Sequence, residues 1–411
     1  MIIQKQYTTG GIKLQTYISG KAKGVSPSPT LSLDAKFKQM KKQGIPVVGF
    51  GAGEPDFETP DNIKAAAIKA INDGMTRYTP ASGTVELKQA VCRKIKRDTG
   101  LEYGIENIVV SNGGKHSLTN VFMAICEPGD EVIIPAPYWV SYPEMVKMAD
   151  GVPCFLNTTE ENDFKFTAEE LEKAITAKTR ALVMNTPSNP TGMVYTREEL
   201  EKIAKIAVKH NIYVVFDEIY EKLVYEGEHV NIATFGEDIK NLTVVVNGMA
   251  KTYAMTGWRI GFTASNAELA KAMSNIQSHA TSNPNSIAQA ASVEALDGDQ
   301  SAVAAMKAEY IKRRDYMVER INSISGISCK TPHGAFYIFM NVRELLGKEH
   351  YGKMINTASE LCDDMLERAL VALVPSEGFG IEGYARLSYA TSMETIKTGL
   401  DRIEKYINGE Y

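Results

Sequence analysis

The stretch Leu242-Thr-Val-Val-Val246 runs directly into Asn247-Gly-Met-Ala-Lys251, and Met255-Thr-Gly-Trp-Arg259 follows soon after. The first five residues are almost continuously apolar and rich in β-branched side chains, which is typical of a strand buried on both faces of a parallel sheet. In open α/β sheets, ligands lie beyond the carboxyl ends of the strands. We therefore expect Lys251 and Arg259 to lie at the rim of a ligand site.

Other segments of the chain repeat this pattern. Further short apolar runs predict strands at Ile108–Val110, Glu131–Ile134, Arg180–Met184 and Ile212–Phe216. Amphipathic helical patterns separate them, and two of these begin with capping-box sequences, Thr167-Ala-Glu-Glu170 and Thr196-Arg-Glu-Glu199. Alternation of strands and helices predicts an α/β fold with a mostly parallel sheet.

The two ends of the chain have a different character. Single hydrophobic cores rarely grow beyond about 250–300 residues, so a chain of 411 residues favours two domains. We predict a large α/β domain over residues 62–305 and a smaller α+β domain formed by residues 1–61 plus 306–411. The second part of the small domain is expected to contain a helix at roughly 306–322 and strands at Ala335–Met340 and Ala385–Tyr389.

Composition narrows the classes of function. The formal net charge is -5 and no polybasic block occurs, so nothing favours nucleic acid or a membrane surface as a partner. Residues 1–20 carry only Lys5 and Lys13 as cations and do not resemble a signal peptide. The five cysteines show no C-x-x-C spacing and the six histidines no metal-ligand pairing. We expect reduced thiols, no metal site and a cytoplasmic location.

Polar residues follow four of the five predicted central strands. Ser111-Asn-Gly-Gly-Lys115 follows the first, Asn185-Thr-Pro-Ser-Asn-Pro-Thr-Gly192 follows the strand at 180–184, and Asp217-Glu-Ile-Tyr220 follows the strand at 212–216. Together with Lys251 and Arg259, these turns should place glycine, amide, carboxylate, phenol, amine and guanidinium groups along one rim. No Gly-x-Ser-x-Gly or Walker sequence is present, so hydrolase and nucleotidase functions have no support.

The chain resembles a known enzyme family in these segments. Ser188-Asn-Pro-Thr-Gly192, Asp217-Glu-Ile-Tyr220, Lys251-x7-Arg259 and Ala385-Arg-Leu-Ser-Tyr-Ala390 resemble the fold-type I aminotransferases of class I/II, which depend on pyridoxal 5'-phosphate (PLP). Gly53-Glu-Pro-Asp-Phe57 and Gly113-Gly-Lys115 resemble the bacterial-type aspartate aminotransferases. The likeness runs from about Gly24 to the C-terminus. It implies the PLP-dependent transferase fold, amino-acid and 2-oxo-acid substrates, and a homodimer with active sites shared between subunits.

The resemblance assigns the residues around the PLP ring. Lys251 would bind PLP as a Schiff base and then move a proton, for which partial desolvation of the amine is favourable; most lysines are simply solvated. Asp217 would pair with the pyridine nitrogen, although an aspartate after a strand also commonly caps a helix. Tyr220 and Asn189 would contact the phenolic oxygen, and Asn189 alone would equally suit a turn. Trp139 would stack on the ring, unless it is a core tryptophan.

The resemblance assigns four more residues to the PLP phosphate, one of them from the partner subunit. Gly113 and Gly114 would offer backbone N–H groups at a helix N-terminus, and Arg259 would offer its guanidinium. A Gly-Gly pair is also common in simple turns. Tyr78 matches a tyrosine that reaches the phosphate from the neighbouring subunit, and an ordinary packing tyrosine is the alternative.

Substrate recognition involves both ends of the amino acid. The resemblance implies that Arg386 binds the α-carboxylate, with Gly53, Trp139 and Asn189 beside it. Lys115, assisted by Thr30, is the candidate for the distal carboxylate, and its alternative role is a PLP-phosphate contact. Some family members accept prephenate with the help of a lysine at the position that Ser26 occupies here.

We therefore expect an enzyme that moves the amino group of aspartate to 2-oxoglutarate, giving oxaloacetate and glutamate. Alternatives within PLP chemistry are an aromatic, alanine or prephenate aminotransferase, or a β-elimination lyase. A non-catalytic PLP-binding protein is a further alternative, which the joint presence of Lys251, Asp217, Tyr220 and Arg386 disfavours.

Overall fold

The computed structural model of the chain describes residues 17–27 and 29–411, apart from the side chains of residues 29–32 and 34. The prediction that residues 1–20 are not a signal peptide therefore concerns mostly residues outside the described ones. Within the described ranges, no helix combines the length and the apolar character needed to cross a membrane.

A seven-stranded sheet forms the centre of the molecule. Across the sheet, its strands lie in the order Ile108–Ser111, Gly261–Ala264, Thr243–Gly248, Tyr213–Asp217, Thr179–Asn185, Glu131–Ala136 and Val152–Asn157. Gly261–Ala264 is antiparallel to both of its neighbours, and the other pairs are parallel. The carboxyl ends of the parallel strands therefore meet at one edge, which confirms the predicted α/β fold.

The five predicted central strands are confirmed, but two strands were missed. Val152–Asn157 lies at the edge of the sheet, and its Val152 and Phe155 side chains are 44% and 51% exposed. An edge strand needs no continuous apolar run, so the pattern for a doubly buried strand does not find it. Gly261–Ala264 has only four residues and begins with glycine, which is disfavoured in strands.

Helices cover both faces of this sheet and occupy the chain ends. The α-helices span Gly20–Lys23, Pro29–Lys42, Asp61–Asn72, Val85–Thr99, Gly114–Ile125, Ser141–Met148, Ala168–Ala174, Arg197–His210, Glu237–Leu242, Ala267–Ala280, Ser286–Asp297, Ser301–Asn322, Ala358–Arg368 and Met393–Ile407. Both predicted capping boxes are present: the hydroxyls of Thr167 and Thr196 accept from the N–H groups of Glu170 and Glu199. Each box satisfies N–H groups that would otherwise lack a partner at the helix start.

A smaller sheet comes mainly from the C-terminal part of the chain. Its strands lie in the order Val374–Pro375, Tyr384–Ser388, Tyr337–Asn341 and Ser328–Cys329, and all pairs are antiparallel. Two further pairs are Val48–Gly49 with Val371–Ala372, and Lys348–His350 with Lys353–Ile355. The long helix begins at Ser301, five residues before the predicted position, and ends at Asn322 as expected.

The small sheet lies against the loop that follows the strand at Tyr213–Asp217. Tyr220 and Leu223 belong to the same buried cluster as Phe336, Tyr337 and Leu387. In this arrangement the rim of the large sheet faces the small sheet, and a cavity lies between them.

Candidate active site

A cavity of about 480 Å³ opens at the carboxyl ends of the central strands. Among the residues singled out from the sequence, those lining it are Gly53, Gly114, Lys115, Trp139, Asn189, Asp217, Tyr220, Lys251, Arg259 and Arg386. These side chains come from distant parts of the sequence, and the parallel strands bring them together.

Lys251 lies in the loop that follows the strand Thr243–Gly248, and its side chain is half-buried. Its Nζ donates a hydrogen bond to the carbonyl oxygen of Gly53 and lies 5.8 Å from the centroid of the Phe336 ring. Burial lowers the pKa of Lys251 to about 8, although the negative charge of Glu54 opposes this change. A lysine with a lowered pKa is neutral more often near neutral pH, and only the neutral amine is a nucleophile.

Asp217 is the last residue of its strand and is only 5% exposed. The hydroxyl of Tyr142 donates to Oδ2 over 2.7 Å, and the backbone N–H of Ile219 donates to Oδ1 over 3.2 Å. Burial raises the pKa of the carboxyl to about 6. No helix begins here, since residues 218–222 are not helical, so helix capping does not explain this aspartate. A buried carboxylate at the cavity wall is well suited to bind a cationic or protonated group.

The hydroxyl of Tyr220 forms a hydrogen bond with a residue that the sequence did not suggest. The hydroxyl groups of Tyr220 and Tyr337 lie 3.0 Å apart, and both rings are buried. Burial raises the pKa of Tyr220, so its hydroxyl is a donor rather than an anion. Tyr337 lies inside an apolar strand, where an aromatic residue is normally interpreted as packing, so the pattern gave no signal for it.

Arg386 is a buried cation that pairs with no carboxylate of the described residues. The residue is 2% exposed; Nη1 donates to Asn189 Oδ1 over 3.0 Å, and Nη2 donates to the Gly51 carbonyl over 3.1 Å. Its Nε is buried and has no hydrogen-bond partner among the described residues. Burial lowers the pKa of the guanidinium. Since a buried, unpaired charge is unfavourable, this geometry favours binding of an anion such as a carboxylate.

The start of the helix Gly114–Ile125 forms a second site suited to an anion. Gly113 has a φ of +87°, and a Cβ there would collide with the guanidinium of Arg259. A Cβ on Gly261 would collide with the backbone nitrogen of Gly114. These close approaches bring backbone N–H groups and Arg259 together at the N-terminal end of a helix, where the dipole attracts negative charge.

Lys115 lies next to this helix start and is exposed. Its Nζ is 5.0 Å from the centroid of the Trp139 ring, and Trp139 packs edge-to-face on Tyr142. Partial desolvation and the charge of Arg259 lower the pKa of Lys115. No ion pair joins Lys115 to a carboxylate in the described part of the chain. It is therefore available to a second anionic group in the cavity.

Three further residues named in the sequence analysis are Thr30, Ser26 and Tyr78. The side chain of Thr30 lies outside the described residues, so its role stays a prediction. The backbone N–H of Ser26 donates to Glu144 over 2.9 Å. Tyr78 is 90% exposed and does not line the cavity of its own chain. Packing within the chain therefore does not explain this tyrosine.

Several residues that line the cavity were missed by the sequence reasoning. They include Lys38, Gly51, Tyr142 and Tyr337. Glu54 and Thr256, which belong to the segments Gly53-Glu-Pro-Asp-Phe57 and Met255-Thr-Gly-Trp-Arg259, also line the cavity. Tyr142 lies within an ordinary amphipathic helix, so only its spacing of three residues from Trp139 could have suggested it.

One group of described residues has the composition of a metal site. Ligand atoms of Glu218, Glu221 and His229 lie within 4.8 Å of one another. However, the Lys94 ammonium forms an ion pair with Glu221 inside this group. A resident cation already balances these carboxylates, so a metal ion is not needed to explain them. The expected absence of a metal stays a prediction.

Comparison with known proteins identifies the family. The family model for aminotransferases of class I and II matches residues 45–403. The aspartate aminotransferase of Bacillus sp. (strain YM-2) is 48% identical over 96% of this chain and 100% of the relative. The aspartate/prephenate aminotransferase of Nitrosomonas europaea is 46% identical over 95% of this chain and 100% of the relative.

A solved structure has the same fold. The aspartate aminotransferase of Thermus thermophilus, determined with maleate, is 41% identical and superposes with a TM-score of 0.91 over 95% of this chain and 100% of its own. Enzymes of this family act on amino acids and 2-oxo acids with PLP as cofactor. The chain belongs to the PLP-dependent aminotransferases of class I and II.

Proposed function

We propose that this chain is an aspartate aminotransferase, which moves the amino group of aspartate to 2-oxoglutarate and gives oxaloacetate and glutamate. The observation that carries the proposal is the pair of cations, buried Arg386 and exposed Lys115, in the cavity that contains Lys251. A dicarboxylic amino acid offers one carboxylate to each. The name of the Bacillus relative and the dicarboxylate maleate in the Thermus structure support this assignment.

The side chains in the cavity fit PLP. The Lys251 amine can hold the aldehyde carbon, the buried Asp217 carboxylate can face the ring nitrogen, and the helix start with Arg259 can hold the phosphate. Trp139 would cover the ring, and Tyr220 and Asn189 would donate to its phenolic oxygen. When bound, PLP supplies an electron-accepting ring through which the amino group passes between substrates.

Each residue then has a defined task. Asp217, with its carboxylate fixed by Tyr142, keeps a proton on the ring nitrogen. Arg386 holds the α-carboxylate through a two-pronged contact that includes its unpaired Nε. Lys251 moves a proton away from the substrate Cα, and its lowered pKa keeps the amine neutral enough to accept it. Gly53 and Trp139 limit the space around the substrate.

The substrate assignment depends mainly on Lys115. We expect Lys115→Met to lower kcat/KM for aspartate by about 10–100-fold, because one charged hydrogen bond to the distal carboxylate is lost. The values for alanine and phenylalanine, which lack that carboxylate, should change less than about threefold on the same argument. Steady-state kinetics with the three amino acids, and with prephenate as amino acceptor, measure these ratios.

The matched control is Lys173→Met, in a helix whose residues do not line the cavity. It should leave all the ratios unchanged. An equal loss for all three amino acids in Lys115→Met would contradict the distal-carboxylate role and would favour a contact with the phosphate.

We also propose a homodimer with shared active sites. Tyr78 is 90% exposed, and Ile68, Ile71 and Met75, close to it in the sequence, are 58%, 52% and 38% exposed. Exposed apolar side chains of this kind suit burial against a second copy of the chain. Tyr78 would then reach the phosphate of the neighbouring subunit.

Mixed dimers test this arrangement. We expect the Lys251→Ala and Tyr78→Ala variants each to have low activity alone, and refolding them together in equal amounts to restore about a quarter of wild-type activity. The reason is that half of the dimers are mixed, and one of their two sites combines the intact Lys251 of one subunit with the intact Tyr78 of the other. Activity no higher than the mean of the two separate variants would show that Tyr78 acts within its own subunit.

Asp217 gives a prediction about pH. Burial raises its pKa in the cofactor-free protein to about 6. The free energy of unfolding therefore falls as the pH rises through 6, because the buried carboxyl must ionise in the folded protein. Cofactor-free Asp217→Asn should therefore be more stable than cofactor-free wild type at pH 8 by about 1–3 kcal/mol, with no difference below about pH 4. Urea unfolding at both pH values measures this. A difference that does not vary with pH would contradict a buried, ionised Asp217.

Two further proposals concern the whole chain. We propose that residues 62–305 form the large domain and residues 1–61 plus 306–411 the small one, and separation of the two sheets along the sequence supports this division. We also propose a cytoplasmic location. The five cysteines, all within the described ranges, are free rather than joined in disulfides, as is usual in that compartment.

A further inference from the structure

A buried group of charged residues lies beside the active site without lining its cavity. This group, called the Glu218 cluster here, consists of Lys94, Asp98, Glu218, Glu221 and His229. Lys94, Glu218 and Glu221 are 3%, 1% and 7% exposed. Lys94 Nζ forms an ion pair with Glu221 and lies 3.4 Å from Asp98 Oδ2. None of these five residues lines the cavity, so the proposed reaction makes no direct use of them.

A buried cluster of charges contributes little to folding stability compared with an apolar core. Removing charges from water carries a desolvation penalty of several kcal/mol per ion, and a well-packed apolar core often gives equal or higher stability. We therefore examine whether the cluster holds neighbouring loops in fixed positions. The contacts of Glu218 identify these loops.

Glu218 joins three separate parts of the chain. Its Oε2 accepts from Asn231 Nδ2 over 2.8 Å and contacts His229 Nε2 at 2.8 Å. Its Oε1 accepts from Asn247 Nδ2 over 3.3 Å. Its backbone N–H also donates to the Val246 carbonyl over 3.0 Å. The carboxylate is thus held by donors from a neighbouring loop and from the strand Thr243–Gly248.

These contacts connect the two turns that carry the central residues of the active site. Glu218 directly follows Asp217, and Asn247 precedes Lys251 by four residues. Asn247 Oδ1 in turn accepts from the backbone N–H of Gly248 over 2.7 Å, at the start of the turn that leads to Lys251. A displacement of Glu218 would therefore change the position of Asp217 relative to Lys251.

The charge of Glu218 is balanced by Lys94, which does not line the cavity. Lys94, on the helix Val85–Thr99, faces both Glu218 and Glu221, and their negative charges keep the Lys94 amine protonated despite its burial. The Glu218 carboxylate stays ionised in the same way, with its pKa lowered by His229 and Lys94 against the effect of burial. An ionised carboxylate accepts all of these hydrogen bonds at once.

We propose that Glu218 is a positioning residue, which fixes the turn carrying Asp217 against the turn carrying Lys251 through its hydrogen bond to Asn247. This inference rests on the proposed PLP site, because the two turns are those that would hold the ring nitrogen and the aldehyde carbon. It assigns Glu218 no contact with substrate or cofactor.

The test compares two isosteric substitutions in the same cluster, Glu218→Gln and Glu221→Gln. Both remove one buried negative charge near Lys94, but only the first alters the acceptor of Asn247 and Asn231. We expect Glu218→Gln to release PLP about five- to tenfold faster than wild type, since a buried hydrogen bond to a charged group is weakened. The pH titration of the visible PLP absorption should also shift. Glu221→Gln should leave the release rate within about twofold of wild type and the titration unchanged.

Release is measured by the decay of the visible absorption after transfer of the holoenzyme into cofactor-free buffer, and thermal unfolding reports stability. Equal release rates and titrations in the two variants, with similar losses of melting temperature, would show that the cluster serves stability alone. Should Glu218→Gln not fold, Asn247→Ala removes the same link from the other strand and is expected to give the same two changes; unchanged release in that variant would overturn the proposal. A wild-type protein that bound no PLP would refute the proposed function instead.

Discussion

Replacement of Lys251 with alanine is expected to lower kcat with aspartate by about 10⁴-fold or more, because one side chain both holds the cofactor and moves the proton. The amine is placed for both tasks: it lies in the cavity with Asp217 and Arg386, and burial lowers its pKa to about 8. Initial rates with aspartate and 2-oxoglutarate measure the loss.

Lys240→Ala is the control for Lys251→Ala. Lys240 forms an ion pair with Glu237 near the protein surface, away from the cavity. Its loss should leave kcat unchanged and the absorption spectrum of bound PLP intact, whereas Lys251→Ala should lose the absorption that depends on a covalent link. A Lys251→Ala variant with normal turnover would refute the PLP assignment.

Replacement of Arg386 with lysine is expected to lower kcat/KM for aspartate by about 10²–10³-fold, because an ammonium cannot reproduce a planar fork that binds a carboxylate through two hydrogen bonds. The effect should be similar for alanine and phenylalanine, since all amino acids share the α-carboxylate. This uniform loss distinguishes Arg386 from Lys115, whose substitution should act on dicarboxylic substrates alone. Kinetics with the same panel of amino acids measure both.

Arg180→Lys is a suitable control, because this arginine is 45% exposed and paired with Asp130 far from the rim. It should not change kcat/KM. The absorption of bound PLP should survive in Arg386→Lys, since Arg386 contacts Asn189 and the Gly51 carbonyl rather than the lysine. A loss confined to KM for aspartate, with normal rates for alanine, would contradict the α-carboxylate role.

The sequence predicted the central strands, because burial on both faces requires an almost continuous run of apolar residues. The observed strand Thr243–Gly248 is buried along its whole length, which explains the almost continuous apolar run at Leu242–Val246. The prediction differs from the structure only at the ends, since Leu242 closes the preceding helix. Val152–Asn157 is exposed at the sheet edge, and Gly261–Ala264 is short, so neither carries that pattern. Yet Gly261–Ala264 brings Arg259 beside Gly113, and only the folded structure shows why this turn belongs to the site.

In the candidate site, too, the sequence marks some residues clearly, whereas the role of others depends on tertiary contacts. Lys251, Asp217 and Arg386 are charged residues at the end of, or inside, apolar strands, where their burial would be unfavourable without a partner, so the sequence marks them clearly. Tyr142 and Tyr337 are aromatic residues in apolar surroundings, and their hydroxyl contacts with Asp217 and Tyr220 depend on tertiary structure. Glu218 was included in a motif, but its link to Asn247 could not be inferred from the spacing.

The preference for aspartate can be measured in a single turnover of the first half-reaction. The PLP form of the purified enzyme is mixed with aspartate, glutamate, alanine or phenylalanine, and the visible absorption of the cofactor and the 2-oxo acid released are followed together. We expect conversion by aspartate with one oxaloacetate per active site, and a second-order rate constant at least about tenfold above those for alanine and phenylalanine. Faster conversion by alanine or phenylalanine, or no conversion by aspartate, would contradict the proposed function.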